Sequence, residues 1–197
     1  EMKQAEIIML GKGVTFDPEL SPAVNLYNEY FGGGMSGIVF QELRESRALA
    51  YSVSSTFRSL GKKGKPYYSY SYIGSQVDKL PEAMTGMVEL LDNMPKSELA
   101  FDNAKTAVKN KIETERITKA RVLFNYLAAQ KLGMDYDNRK DVYTSLDGMT
   151  YDSIKSFQEE MVKGQKRNIV VIGSKDKLDF KTLSNYGKLQ EVTLEEL

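Results

Sequence analysis

Histidine and cysteine are both missing from the 197 residues. Without cysteine the chain holds no disulfide, no thiolate nucleophile and no thiolate-bound metal. Without histidine it holds no Ser-His-Asp triad and none of the zinc motifs that set imidazoles on one helical face. An excess of charge is missing too, since 27 Lys+Arg stand against 27 Asp+Glu. No bulk positive field exists to hold a phosphate backbone, and no nucleic-acid partner is expected. Nor does any apolar run approach the roughly 18 residues of a membrane span, so none is expected.

What is present is ordinary globular material: 41% hydrophobic and 27% charged residues argue against a disordered chain. Residues 4–10 read as a buried strand, because Ile7, Ile8, Met9 and Leu10 form a short apolar run bounded by Gly11 and Gly13. Asp17-Pro18 opens a helix whose face carries Leu20, Val24, Leu26, Tyr27 and Tyr30, and Gly32, Gly33 and Gly34 end it. Ser36 is the expected N-cap of a second helix striped by Ile38, Val39, Leu43 and Leu49. From Tyr51 the period falls to two, and a hairpin through GKKGKP is expected, with Lys62, Lys63 and Lys65 solvating its tip.

Helical spacing then dominates, over residues 77–94, 98–116, 117–132, 141–146 and 151–162. In the third of these, Val122, Leu123, Tyr126, Leu127 and Leu132 supply the apolar positions. A strand over 168–172, a short helix over 177–185 and a last strand over 189–194 close the chain. Strands, then helices, then strands imply an α+β fold: a mainly antiparallel sheet with helices packed on one face. Because the sequence enters and leaves on strand-like runs, residues 1–197 read as a single domain cut from a longer protein.

The three glycines invite a phosphate-loop reading, but no Gly-Lys-Ser/Thr follows them and no strand immediately precedes them. A helix-to-helix turn needing positive φ is the simpler account, and a nucleotide binder is the least favoured function. Glu42, Glu45, Glu113 and Glu115 have spacings common on solvated helix faces, and no metal site is assigned to them. Arg44 and Tyr51, seven positions apart, stand at the junction of helix and strand. They are open to a structural reading, with Arg44 paired to a carboxylate on its own helix and Glu45 not facing it, and Tyr51 packed at the sheet edge. On spacing alone that reading is the simpler one; the alternative is a cleft reading, in which guanidinium and phenol bind a peptide carbonyl or carboxylate.

The stretch NLYNEYFGGGMSGIVFQELRESRALAYSVSS resembles the C-terminal halves of the insulinase-type (pitrilysin) zinc metallopeptidases. KQAEIIMLG, ELAFDNAKTAVKNKI, NIVVIGSKDKL and YGKLQEV extend the likeness over nearly the whole chain. The resemblance implies a non-zinc domain facing a catalytic zinc-bearing domain or subunit across a closed chamber that admits peptide substrate. Zinc would belong to the complete enzyme and no cofactor to this domain, which alone would be inactive. It further implies that Arg44 holds the substrate backbone and that Tyr51 contacts substrate and stabilises charge on the scissile carbonyl oxygen. Two departures stand out: Met35 to Phe40 lack an arginine often found after the glycines, and Ala48 replaces a frequent glycine. The rival expectation is a non-peptidase scaffold or assembly subunit of the same family.

Overall fold

A computed structural model describes residues 3–193 and Glu196. Four antiparallel strands form one sheet in the order β2-β3-β1-β4, with β1 Gln4–Thr15, β2 Ser52–Ser59, β3 Pro66–Gln76 and β4 Arg167–Ile172. The central strand β1 pairs with β3 on one side and β4 on the other. Helix α1 (Ser21–Gly32) and a short α2 (Ile38–Phe40) lie between β1 and β2. After β3 come α3 (Leu80–Asp92), α4 (Glu98–Thr114), α5 (Lys119–Leu132), α6 (Arg139–Ser145) and α7 (Tyr151–Met161); α8 (Phe180–Ser184) follows β4. The α+β arrangement with helices on one face is the architecture found.

Period-two alternation divides the sheet into two unlike surfaces. Toward the helices point Ala5, Ile7 and Met9 of β1, Val53 and Phe57 of β2, and Tyr67 and Ile73 of β3, all in one buried cluster with α1, α3 and α7. Rings join the layers there: Phe57 stacks on Tyr67 at 5.0 Å and meets Phe157 of α7 edge-on at 5.3 Å. Small groups let the helices come close. An added Cβ on Gly32 would lie 1.7 Å from the Ser55 carbonyl oxygen, so only glycine lets the end of α1 touch β2. Ser55, Ser69, Ser71 and Ser75 are buried on this face. Each hydroxyl is satisfied: Ser55 and Ser71 bond one another at 2.9 Å, Ser75 donates to the Leu49 carbonyl, and Ser69 donates to Gln165.

The tyrosines of β3 take the opposite course. Tyr68, Tyr70 and Tyr72 alternate with the buried serines and are only partly covered. They share the outer surface with Glu6, Ile8 and Leu10 of β1 and with Val170 and Ile172 of β4, which are 54% and 55% exposed. Arg58 of β2 stands 5.0 Å over the Tyr70 ring on this side.

Four expectations need correction. Ser36 does not cap the second helix; its hydroxyl donates back to the Gly33 carbonyl, and extended Gly37 precedes α2. That helix also changes winding: after Phe40 it widens into a π turn over Gln41–Ser46, closed by Arg47 N–H donating to the Glu42 carbonyl at 3.1 Å. In α5 only Ala129 is buried, and Val122, Leu123, Tyr126 and Leu127 are exposed, because the apolar residues run round the helix instead of forming one stripe. No strand forms over residues 189–193, and Leu194 lies outside the described residues. Leu189 and Val192 are three apart, so extended backbone would send them to opposite faces, and Glu191 is held by Lys175 instead.

Candidate functional site

The segment from the π turn to β2 is built to present its ends. Leu43 is fully buried and fits beside Gly86 of α3, where a Cβ would come within 2.8 Å of the leucine. Anchored there, the turn leaves its neighbours outside. The Arg44 side chain is 45% exposed, with its guanidinium 4.7 Å over the Phe40 ring and its Nε 3.7 Å from a Glu45 carboxylate oxygen. Glu45 therefore does face Arg44, contrary to α-helical spacing, in a loose solvated pair that leaves most guanidinium donors unused. The chain then turns through Ala48, the one non-glycine residue with positive φ (49°) among the described residues. A glycine is more at home in that conformation, which gives the departure at Ala48 a physical meaning.

Tyr51 enters the sheet with its backbone N–H donating to the Gly74 carbonyl at 2.9 Å. Its ring crosses over Gly74, where an added Cβ would sit 2.6 Å from the ring and 2.7 Å from the hydroxyl oxygen. This crossing brings the phenol, 42% exposed, to the outer surface, where it donates to Glu6 Oε1 at 2.5 Å. Tyr72 donates to the other oxygen, Glu6 Oε2. One carboxylate on the central strand thus holds two phenols from neighbouring positions. The bonds to Glu6 push both phenols above the usual tyrosine range, with burial adding to the rise.

The structure brings Tyr51 together with Glu6, Tyr72 and Gly74, none of which was singled out from the sequence. Arg44 and Tyr51 are tied by the same turn, yet among the described residues no hydrogen bond or ion pair joins them. The one sequence signal for Glu6 is a lone acid inside the apolar run of β1; its partners depend on the register Glu6↔Gly74, which no local pattern states.

The glycines prove to be structural. Gly34 has φ of 61°, while Gly32 and Gly33 would each collide with backbone if given a Cβ. The carboxylates weighed for cation binding have partners of their own: Glu115 accepts from Arg121 and Arg139, Glu113 from Tyr143, and Glu42 lies 3.9 Å from Arg47. With neither histidine nor cysteine in the sequence, and no convergent acid triplet among the described residues, the donor set does not fit a zinc ion.

Comparison with known proteins accounts for this pattern. Residues 1–108 match the family model of the peptidase M16 inactive domain. An uncharacterized zinc protease of Streptomyces coelicolor is 32% identical over 109 residues, covering 54% of this chain and 22% of that protein. The chain therefore spans about a fifth of the curated relative it matches. The peptidase M16 inactive domain from Pseudomonas fluorescens superposes with a TM-score of 0.70 at 20% identity, covering 85% of this chain and 40% of that one. A chain of complex III2 from Candida albicans shares the fold with a TM-score of 0.62 at 17% identity, over 94% of this chain and 46% of that one. The family-model match over residues 1–108, more than half of the chain, identifies it as an inactive C-terminal domain of the M16, insulinase-type zinc peptidase family, with the fold in agreement.

Proposed function

We propose that this domain closes the chamber of a zinc endopeptidase and contacts the peptide there, using the outer surface of its sheet. The observation carrying this reading is the protonated, exposed Tyr51 phenol, steered onto that surface by Gly74 and held by Glu6. A hydroxyl held in this way is preorganised to donate where negative charge grows on a carbonyl oxygen. A substrate carbonyl would take over the hydrogen bond now accepted by Glu6, while Tyr72 keeps the carboxylate in place. Arg44, with spare donors and a rigid anchor at Leu43, would hold the substrate backbone or a terminal carboxylate. In the complete enzyme, water activation would be supplied by a zinc ion held in the facing domain, because this chain has neither histidine nor cysteine to hold one.

In the full-length protease, Tyr51→Phe is expected to lower kcat/KM about 100-fold or more, the usual loss for one oxyanion donor, with zinc content unchanged. An unchanged rate removes Tyr51 from the chemistry. A second reading, an assembly subunit without peptidase activity, draws support from α5, whose exposed Val122, Leu123 and Phe124 suit a permanent partner. That reading predicts a full-length protein with no peptidase activity to lose and a stable complex that Phe124→Glu disrupts.

A further inference from the structure

A second site lies at the far side of the sheet from Tyr51. The outer edge of β4, Met84 in the second turn of α3, α8 and the segment after it line a cleft of about 590 Å³. This volume is in the range of small-molecule and short-peptide sites. Its apolar walls are Met84, Ile169, Val171, Leu178, Phe180 and Leu183. Arg167 also lines it, with a side chain only 9% exposed.

One donor of this guanidinium is unused. Nη2 donates to the Val162 carbonyl at 2.8 Å and pairs with Asp92 at 3.6 Å, while Nε is buried without a partner. A buried N–H without an acceptor is costly and favours an added acceptor. The hydroxyl of Tyr27, the other buried side-chain polar atom without a partner among the described residues, lies near enough for the Arg167 charge to offset part of the rise that burial causes in its pKa. Acidic competition within the cleft is weak, because Glu191 is already held by Lys175 at 2.6 and 2.7 Å. The backbone is also open: β4 pairs with β1 alone, and among the described residues no backbone hydrogen bond joins β4 to residues 186–191 across the cleft.

We propose that this cleft captures the C-terminal end of a peptide with apolar last residues, its carboxylate at Arg167 and its backbone added to the free edge of β4. Strand addition supplies affinity without regard to sequence, the apolar walls select the side chains, and the guanidinium selects a free chain end. The site stands apart from Tyr51 and does not depend on the oxyanion role given to that residue.

The test is fluorescence anisotropy on this chain, without the zinc domain, using a labelled Ala-Val-Leu-Phe peptide as the free acid and as the C-terminal amide. The acid is expected to bind about tenfold or more tightly than the amide, as loss of one charge-assisted bond implies. Phe180→Ala, at a position 43% exposed and away from the core, should weaken the acid without changing the circular dichroism spectrum. Arg167→Gln should abolish the preference for acid over amide. Equal binding of acid and amide, no binding of either, or displacement by octanoate as effective as by unlabelled peptide would each overturn the proposal; the last would show that the β4 edge contributes nothing.

Discussion

The two faces of the sheet carry opposite kinds of side chain from the same strands. On β3, Ser69, Ser71 and Ser75 turn inward while Tyr68, Tyr70 and Tyr72 turn outward, and Tyr67 alone of its tyrosines joins the core, against the usual expectation that large aromatic residues fill a core. The inner face needs small residues because α1 presses on it, with Gly32 against Ser55. The outer face is free of that demand and keeps its polar tips for donation, with Glu6 organising Tyr51 and Tyr72. One face is specified by packing, the other by hydrogen bonds among its own side chains, which on the proposed function a substrate would exchange.

That contrast can be broken most severely from inside. Phe57→Ala removes a fully buried ring that joins β2, β3 and α7, and should cost about 3–5 kcal/mol in urea unfolding. Gly32→Ala places a methyl against backbone and should cost roughly 1–3 kcal/mol or more, since backbone cannot rotate aside as a side chain can. On the outer face, Tyr72→Phe should cost only about 0.5–1.5 kcal/mol, the net worth of one hydrogen bond. Ala48→Gly should move in the other direction and raise stability by about 1 kcal/mol by relieving the left-handed backbone.

Alkaline titration sharpens the same comparison. Burial pushes Tyr30 and Tyr67 on the covered side up to about 12 from an ordinary 10.0. Above pH 10.0 the unfolded phenols ionise while the folded ones keep their protons, so the folded state binds more protons and stability falls as pH rises. Their contribution is complete below pH 10.0 and is lost by about pH 12, which unfolding curves recorded across that window would reveal as a steady decline.

Most of the framework was legible locally. The apolar run of β1, the hairpin period and the stripe of α3 each follow from spacing that neighbouring residues alone determine. The π turn was not, because its widening serves to bury Leu43 beneath Gly86, a contact between residues 43 positions apart. The last strand does not form over residues 189–193, where Leu189 and Val192 would fall on opposite faces of extended backbone. Arg44 and Tyr51 were found through a motif, and that motif named the phenol without the carboxylate that holds it. Glu6 and Tyr72 became visible only once strand register set β1 beside β3.

Unfolding free energy and kcat/KM, measured on one preparation of Tyr51→Phe in the full-length protease, test the division of labour between the faces most directly. The account predicts a stability change below about 1.5 kcal/mol together with a fall of about 100-fold or more in kcat/KM. A normal rate, or a loss of rate that tracks the fraction unfolded, would contradict it.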